Sequence, residues 1–416
     1  LTSAFFERVR MVCHPKGWSS TGQDAECCLR SLAAVTAGER IAEGLVCQAI
    51  DRLDPLQSID DLVARINTER YYRKGTCDSI YEGMLSADKT IAAALGERFS
   101  PEGVYSATSL ETYAQCPFRF FIGNVLRLED LPDGEQNLSP ADRGSAVHDI
   151  LSTFYRRWLA AGQGHITPAS IEAATSLMQE IAREELDRHH FESPLWDATC
   201  LQMKGSPHAG PGYLEKFLAK EAEAADSPLA PCHFEFSFGM NPSGTDDPAS
   251  VEEAVALTSS DGREQLRIRG RIDRIDISPE GFFLIYDYKT GRGHPKIKDI
   301  EEGKALQLPL YLLAFEALSE KRGVAAGYYH IRKEVRRDLL LCDEQARCLV
   351  ASRTKMTPDV AALITRSCDF AIGYIRRIRE GAFPLHAEEH CPNSHCEFRR
   401  ICRFDPYRVS DSGEVT

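Results

Sequence analysis

Two neighbouring segments of the chain have the pattern of consecutive β-strands. Apolar and polar side chains alternate between residues 265 and 277, and residues 282–286 are a continuous apolar run. The four residues between them, Ser-Pro-Glu-Gly at 278–281, have the composition of a tight turn. A strand that is apolar on both faces is expected in the middle of a sheet, with both faces covered. The pattern therefore predicts a central strand and its neighbour.

Two acids and a lysine lie on these predicted strands. Asp287 and Lys289 are two residues apart, so their side chains leave the same face of the strand, about 6–7 Å apart along it. Asp273 lies on the preceding strand. Charged groups at the end of an apolar strand are costly unless they are paired or bind a metal. Carboxylates suit Mg²⁺ or Mn²⁺, and a shared divalent metal beside an ammonium suits the hydrolysis of a phosphodiester.

The first of the two strands changes its pattern at Asp273. Apolar residues occupy even positions up to Ile272 and odd positions from Ile275 onward. Because side chains alternate between two faces, this change predicts a bulge or bend at Asp273–Arg274. Such a feature would re-aim the candidate metal ligand.

Asp273 followed by Asp287-x-Lys289 resembles the signature of the PD-(D/E)xK nucleases in its RecB-like form. Residues 144–148 (Gly-Ser-Ala-Val-His) resemble the GxxxH motif of that family, and residues 307–311 (Gln-Leu-Pro-Leu-Tyr) resemble its QxxxY motif. Each match alone has a common structural explanation, such as a polar residue at a helix edge or a core tyrosine. The four together, in the family's order, are specific, and the resemblance covers residues 106–405.

The resemblance implies a fold and a role for each matched residue. The implied fold is an α/β restriction-endonuclease-like core, with a mixed central sheet flanked by helices. Gln307 and Tyr311 share a helix face and would hold the DNA strand at the metal. The implied ligands of Mg²⁺ or Mn²⁺ are His148, Asp273, Asp287 and the backbone carbonyl of Tyr288. The implied catalytic residues are His148, Asp273, Asp287, Lys289, Gln307 and Tyr311.

One cysteine precedes this region and three follow it. Cys116, Cys391, Cys396 and Cys402 resemble the four thiolates that hold a [4Fe–4S] cluster in AddB-type nuclease domains. Four residues separate Cys391 from Cys396, where that family usually has two, and His395 is an alternative fourth ligand. A Cys₄ zinc site is the physical alternative. A cluster of either kind would tie the two ends of the domain together.

Composition and motifs bound the rest of the chain. Its 416 residues, 43% hydrophobic and 27% charged, are typical of a globular protein without membrane spans, and the expected location is cytoplasmic. We predict a helical segment over residues 1–105 and the nuclease-like domain over 106–416. A GxxxxGK[ST] loop is absent from the sequence, so no nucleotide-binding motor is expected in this chain. Because the first residue is leucine, we expect a preceding region.

The resemblance implies a metal-dependent deoxyribonuclease, an exonuclease that processes DNA ends for recombinational repair. The implied partners are DNA and a helicase–nuclease subunit of AddA type. Two alternatives stay open at this point: a stand-alone RecB-like exonuclease, and a DNA-binding structural module with a silent site. The net charge of −13 argues against a general polyanion binder but not against a clustered basic surface.

Overall fold

A computed structural model of the protein describes residues 83–128, 140–189, 194–206, 208, 210–291, 293–332, 334–350, 356–385, 396, 398 and 402. The described residues belong to one compact unit that begins at Gly83. Residues 1–82 of the predicted helical segment lie outside them. Residues 83–105 lie within the compact unit, where Leu95 and Phe99 are buried in its core. We therefore place the domain boundary nearer to residue 83 than to residue 105, as a proposal.

The described residues form eleven α-helices, one π-helical turn and nine strands. The helices are α1 Lys89–Arg98, α2 Ala107–Gln115, α3 Pro117–Phe120, α4 Pro140–Ala160, α5 Ile171–Arg188, α6 Pro194–Lys204, α7 Tyr213–Ala222, α8 Ile297–Glu301, α9 Gln307–Leu318, α10 Ala346–Leu349 and α11 Val360–Arg379, and the π-helical turn is Phe121–Val125. The strands are β1 Val104–Ser106, β2 Gly205–Ser206, β3 Gly210–Pro211, β4 Ala230–Phe238, β5 Val255–Thr258, β6 Gln265–Ile277, β7 Phe282–Lys289, β8 Arg322–His330 and β9 Arg336–Cys342.

Strand β6 is the centre of a seven-stranded mixed sheet. Its first half pairs with β1 in parallel and with β5 in antiparallel orientation. Its second half lies between β4 and β7, both antiparallel to it. Strand β8 is parallel to β7, and β9 is antiparallel to β8. The predicted fold, a mixed sheet flanked by helices, is confirmed.

Helices cover both faces of the sheet and enclose two hydrophobic cores. The first core contains buried residues of α2, α9 and α11, and the second contains those of α4, α5 and α7. On β7, Phe283 and Ile285 lie in the first core, whereas Leu284 and Tyr286 lie in the second. The prediction that this strand is central and apolar on both faces is confirmed. Its odd-numbered residues, including the two charged ones near its end, point to the face of the first core.

Helix α9 packs inside the first core, and seven of its twelve residues are buried. It begins at Gln307, with Pro309 in its first turn, where the missing amide proton of proline costs no helical hydrogen bond. A helix that is apolar all round is one that protein surrounds. Among the described helices, none combines the length and apolarity that crossing a bilayer requires.

The sheet exchanges its faces near Asp273, as the sequence pattern predicts. Ile272 and Ile275 lie in the same core although they are three residues apart. The register of β6 with β4 is nevertheless continuous on both sides of Asp273, so a bulge in β6 itself is wrong. The irregular residue is Glu235 on the neighbouring strand, which has a φ of +55°. A left-handed residue turns the pair of strands over without adding a residue to either.

A buried ion network anchors β6 directly after Asp273. Arg274 is 1% exposed, and its guanidinium lies 2.6 Å from Asp276 Oδ1 and 2.8 Å from Glu221 Oε2. Arg337 on β9 contacts the same glutamate. Buried charges are tolerated when they are paired and hydrogen-bonded, and here the pairing joins β6, α7 and β9. The network therefore holds in place the strand that carries the first candidate ligand.

Candidate active site

Asp273 occupies a position where two strands separate. Hydrogen-bonded pairing between β6 and β7 runs from Arg274 to Ile277, and Asp273 lies just beyond it. Its carboxylate oxygen Oδ2 accepts a hydrogen bond of 2.7 Å from the backbone N–H of Tyr288. The side chain thus satisfies an amide on the neighbouring strand. This bond orients the carboxylate, with Oδ1 left for other partners.

His148 and Glu235 meet Asp273 at this point. His148 Nδ1, from α4, lies 3.5 Å from Asp273 Oδ1 and 3.3 Å from Glu235 Oε1. All three ligand atoms lie within 4.8 Å of one another. Metal–ligand bonds of 2.0–2.2 Å place adjacent ligands of one ion about 3.0–3.5 Å apart, so these separations fit a shared divalent ion.

Glu235 is a candidate ligand that the sequence analysis missed. The residue is 8% exposed, and its Oε1 is a buried oxygen without a hydrogen-bond donor among the described residues. A buried carboxylate oxygen of this kind is costly unless a cation binds it. The available signal was an acid between Phe234 and Phe236 in an otherwise apolar strand.

Charge balance ties the three residues together. Burial alone would lower the pKa of His148, but Asp273 and Glu235 outweigh it and raise that pKa well above its ordinary value. Burial raises the pKa of Glu235, even though His148 opposes the shift. The pKa of Asp273 is below its ordinary value, because His148 and the Tyr288 amide outweigh the effect of burial. The two carboxylates thus require a cation between them, as a metal site does.

Asp287 and Lys289 form an ion pair beside this group. Lys289 Nζ lies 2.6 Å from Asp287 Oδ2, as expected for charged residues on one face of a strand. Burial and the charge of Asp273 raise the pKa of Asp287 to about 6, against the opposing effect of Lys289. The 4.8 Å group contains His148, Glu235 and Asp273, so Asp287 lies next to it rather than within it. Binding of metal by Asp287 and by the Tyr288 carbonyl therefore stays a prediction.

Gln307 and Tyr311 come to the same end of the sheet on α9. The Tyr311 ring is 4% exposed and packs edge-on against Phe238, with ring centroids 5.9 Å apart. A β-carbon at Gly270 would lie 2.5 Å from the same ring, so only glycine leaves room for it. Gln307 is partly exposed, at the start of the helix. The buried ring supports the helix, and the predicted contact of both residues with DNA stays a prediction.

Glu111 on α2 is a second residue that the sequence analysis missed. Its Oε1 accepts hydrogen bonds from the backbone N–H groups of Leu306 and Gln307, at 2.6 and 2.8 Å. Burial raises the pKa of Glu111 to about 7, and the charge of Asp287 contributes to the rise. The carboxyl group therefore holds the start of α9 beside the ion pair. Its contacts are 195 and 196 residues away in the chain, and no local pattern announces them.

The predicted cysteine set is described only in part. Cys116 Sγ accepts a hydrogen bond of 3.3 Å from the Arg119 amide and caps α3. Phe398 is buried, and a β-carbon at Gly123 would lie 3.5 Å from its ring. The Cys402 amide donates to the Phe398 carbonyl at 2.9 Å. The segment with the trailing cysteines thus packs on the turn that follows Cys116.

Two members of the predicted set, Cys391 and the alternative ligand His395, lie outside the described residues. The nature of the cluster therefore remains a proposal.

The comparisons with known proteins agree with this geometry. The sequence profile of the PD-(D/E)XK nuclease superfamily matches residues 104–403, and the chain belongs to this superfamily. The chain is similar to proteins named as the AddB-type subunit of an ATP-dependent helicase/deoxyribonuclease. That of Clostridium tetani is 30% identical over 222 residues, which cover 50% of this chain and 17% of the relative. That of Thermoanaerobacter sp. (strain X514) is 25% identical over 290 residues, which cover 64% of this chain and 23% of the relative.

A third relative with the same name, from Symbiobacterium thermophilum, is 28% identical over 219 residues, which cover 51% of this chain and 17% of the relative. The chain therefore matches less than a quarter of the length of each of these three proteins.

Proposed function

We propose that this domain is a Mg²⁺- or Mn²⁺-dependent deoxyribonuclease that acts as an exonuclease on DNA ends. The observation that carries the proposal is the His148–Glu235–Asp273 group beside the Asp287–Lys289 ion pair. Superfamily membership supports nuclease chemistry. The names of the relatives support a role in end processing for recombinational repair, with a helicase–nuclease subunit of AddA type as partner.

The residues of the site have distinct tasks in this proposal. His148, Glu235, Asp273 and Asp287 would hold the ion. When bound, a divalent ion lowers the pKa of a water molecule and stabilises negative charge on a phosphate. Burial opposes the charged form of Lys289, but Asp287 outweighs it and raises the pKa of this lysine. Lys289 thus stays an ammonium, which suits it to stabilise charge on the phosphate rather than to accept a proton.

The experiment compares the purified protein with its Asp287→Ala variant on linear DNA, with Mg²⁺ or Mn²⁺ and with a chelator. We expect metal-dependent degradation by the parent protein and a loss of at least about 100-fold in the variant, because one developing charge loses its stabilisation. Glu280→Ala is the matched control, since Glu280 is exposed in the turn at the opposite end of the same hairpin. Equal activity of the parent and Asp287→Ala would mean that the site is not catalytic. That outcome would favour the silent DNA-binding module.

We further propose that Cys116, Cys391, Cys396 and Cys402 hold a [4Fe–4S] cluster. Support comes from the packing of Phe398 near Gly123, which brings the trailing segment to the region of Cys116. Purified protein should be brown, with broad absorbance near ~400 nm and matching iron and sulfide contents. A colourless protein with stoichiometric zinc would contradict the iron–sulfur assignment and support the Cys₄ zinc alternative.

A further inference from the structure

A second group of metal-binding side chains lies outside the candidate active site. It consists of His294 on the loop after β7, His330 at the end of β8, and Asp338 on β9. His330 Nε2 lies 3.2 Å and His294 Nε2 lies 3.6 Å from the same oxygen, Asp338 Oδ2. The three ligand atoms lie within 4.8 Å of one another. Three separate elements of the chain therefore converge on one point.

These separations match the edge of a metal coordination shell. Bonds of 2.0–2.2 Å at tetrahedral angles place neighbouring ligand atoms about 3.3–3.5 Å apart. Two imidazoles and one carboxylate are a typical protein ligand set for Zn²⁺, with one position left for water. Mg²⁺ prefers a shell of oxygen atoms and suits this set poorly.

The fold holds the three side chains in place. Asp338 pairs with Tyr328 across β8 and β9, and His330 lies two residues further along β8, so His330 and Asp338 share one face. The His294 and His330 rings are 4.4 Å apart between centroids. His330 Nε2 is a buried atom without a hydrogen-bond partner among the described residues, and it points at the carboxylate. A buried polar atom of this kind calls for a ligand.

Arg336 is the one cation in contact with this carboxylate among the described residues. Its Nε donates a hydrogen bond of 2.9 Å to Asp338 Oδ2. An outer partner of this kind orients a ligating carboxylate, while its charge weakens the attraction of the carboxylate for a cation. The effect of Arg336 on metal affinity therefore has a defined sign.

We propose that His294, His330 and Asp338 form a second metal site, selective for Zn²⁺ and similar transition-metal ions over Mg²⁺. The site lies beside the candidate active site, because His330 pairs with Lys289 between β8 and β7. Lys289 Nζ also lies 5.2 Å from the centroid of the Tyr328 ring, against which His294 packs. A metal here fastens the loop that follows Lys289 to β8 and β9. It thereby limits how far that lysine and the DNA strand near it move.

The test counts Zn²⁺ ions bound per chain by equilibrium dialysis in excess Mg²⁺, for the parent protein and for His294→Ala. The cysteines and the His148 group can also bind Zn²⁺, but both are unchanged in the variant. We expect the variant to bind one Zn²⁺ fewer per chain. The dissociation constant of that ion should rise by more than the roughly 10–100-fold that loss of an outer partner costs. His189→Ala is the matched control, because His189 contacts Asp149 at 2.8 Å without a second histidine ligand nearby among the described residues.

Arg336→Gln gives an independent readout of opposite sign. Removing this charge should lower the dissociation constant of the Zn²⁺ ion, whereas loss of a merely structural ion pair would leave it unchanged. Near-ultraviolet circular dichroism and thermal melting of each variant report on folding. Equal Zn²⁺ counts in the parent protein and in folded His294→Ala would overturn the proposal. This result would leave the proposed nuclease function untouched, since that function is tested at Asp287 with Mg²⁺.

Discussion

Glu221 provides a quantitative test of how the fold supports the active site. The residue ends α7 inside the protein, with 4% of its side chain exposed. Its carboxylate lies 2.8 Å from the guanidinium of Arg274 and accepts a hydrogen bond of 2.8 Å from the Tyr329 hydroxyl. Arg337 contacts the same carboxylate. Replacing Glu221 with glutamine keeps the shape of the side chain but leaves two buried guanidinium groups with less negative charge.

The magnitude follows from the titration of Glu221. Burial alone would raise its pKa, but Arg274 and Arg337 outweigh burial and lower it from 4.5 to about 2. A shift of this size corresponds to roughly 3 kcal/mol of folding free energy at neutral pH. Since the folded-state pKa is the lower one, this stabilisation is complete above pH 4.5 and is lost as the pH falls toward 2. Breaking one partner of a buried ion pair costs about 3–5 kcal/mol, which agrees.

The assay is urea unfolding of Glu221→Gln at pH 7 with a chelator, followed by tryptophan fluorescence. We expect a loss of about 3 kcal/mol and a melting temperature lower by roughly 5–10 °C. Glu223→Gln is the control, because Glu223 pairs with Lys220 at the surface and should lose at most about 1 kcal/mol. A change of less than about 0.5 kcal/mol in Glu221→Gln would refute the reasoning. So would an equal loss in the control.

Three further changes test the site itself. Glu111→Gln removes a carboxyl group whose pKa burial raises from 4.5 to about 7, so ionisation of that group opposes folding. In urea unfolding the variant should gain on the parent by up to about 3 kcal/mol as the pH rises from 4.5 to 7, and a gain that shrinks over this range would contradict the assignment. Glu235→Gln should weaken Mg²⁺ binding by roughly 10-fold or more in calorimetric titration, and unchanged affinity would remove Glu235 from the ligand set. Gly270→Ala should cost about 1–3 kcal/mol and reduce nuclease activity, because the new methyl group displaces the Tyr311 ring; wild-type melting and activity would refute that packing.

Local regularities of the chain predicted part of the site. Asp287 and Lys289 lie on one face because strand side chains alternate, and this holds whatever surrounds the strand. The apolar run of β7 predicted its central place in the sheet. The pattern change at Asp273 predicted the exchange of faces, although the device that produces it lies on another strand. Pro309 marked the first turn of the helix that begins at Gln307.

Long-range contacts supplied the rest, and no sequence period reports them. Glu235 reaches the metal group through a left-handed backbone opposite Asp273, and the sequence shows only an acid between two phenylalanines. Glu111 and α9 are joined across 195 residues by hydrogen bonds to backbone amides, which every residue type except proline offers. Such bonds leave no trace in the identity of the donor residue.

The amino-acid order alone thus specified the catalytic hairpin, the helix starts and the family resemblance, since these depend on neighbours within a few positions. The packing of two helical layers against a twisted sheet decided which charges meet. It brought His148 and Glu235 to Asp273, placed Glu111 under α9, and drew His294 and His330 to Asp338. Convergence of this kind depends on strand order and register, which only the complete fold determines.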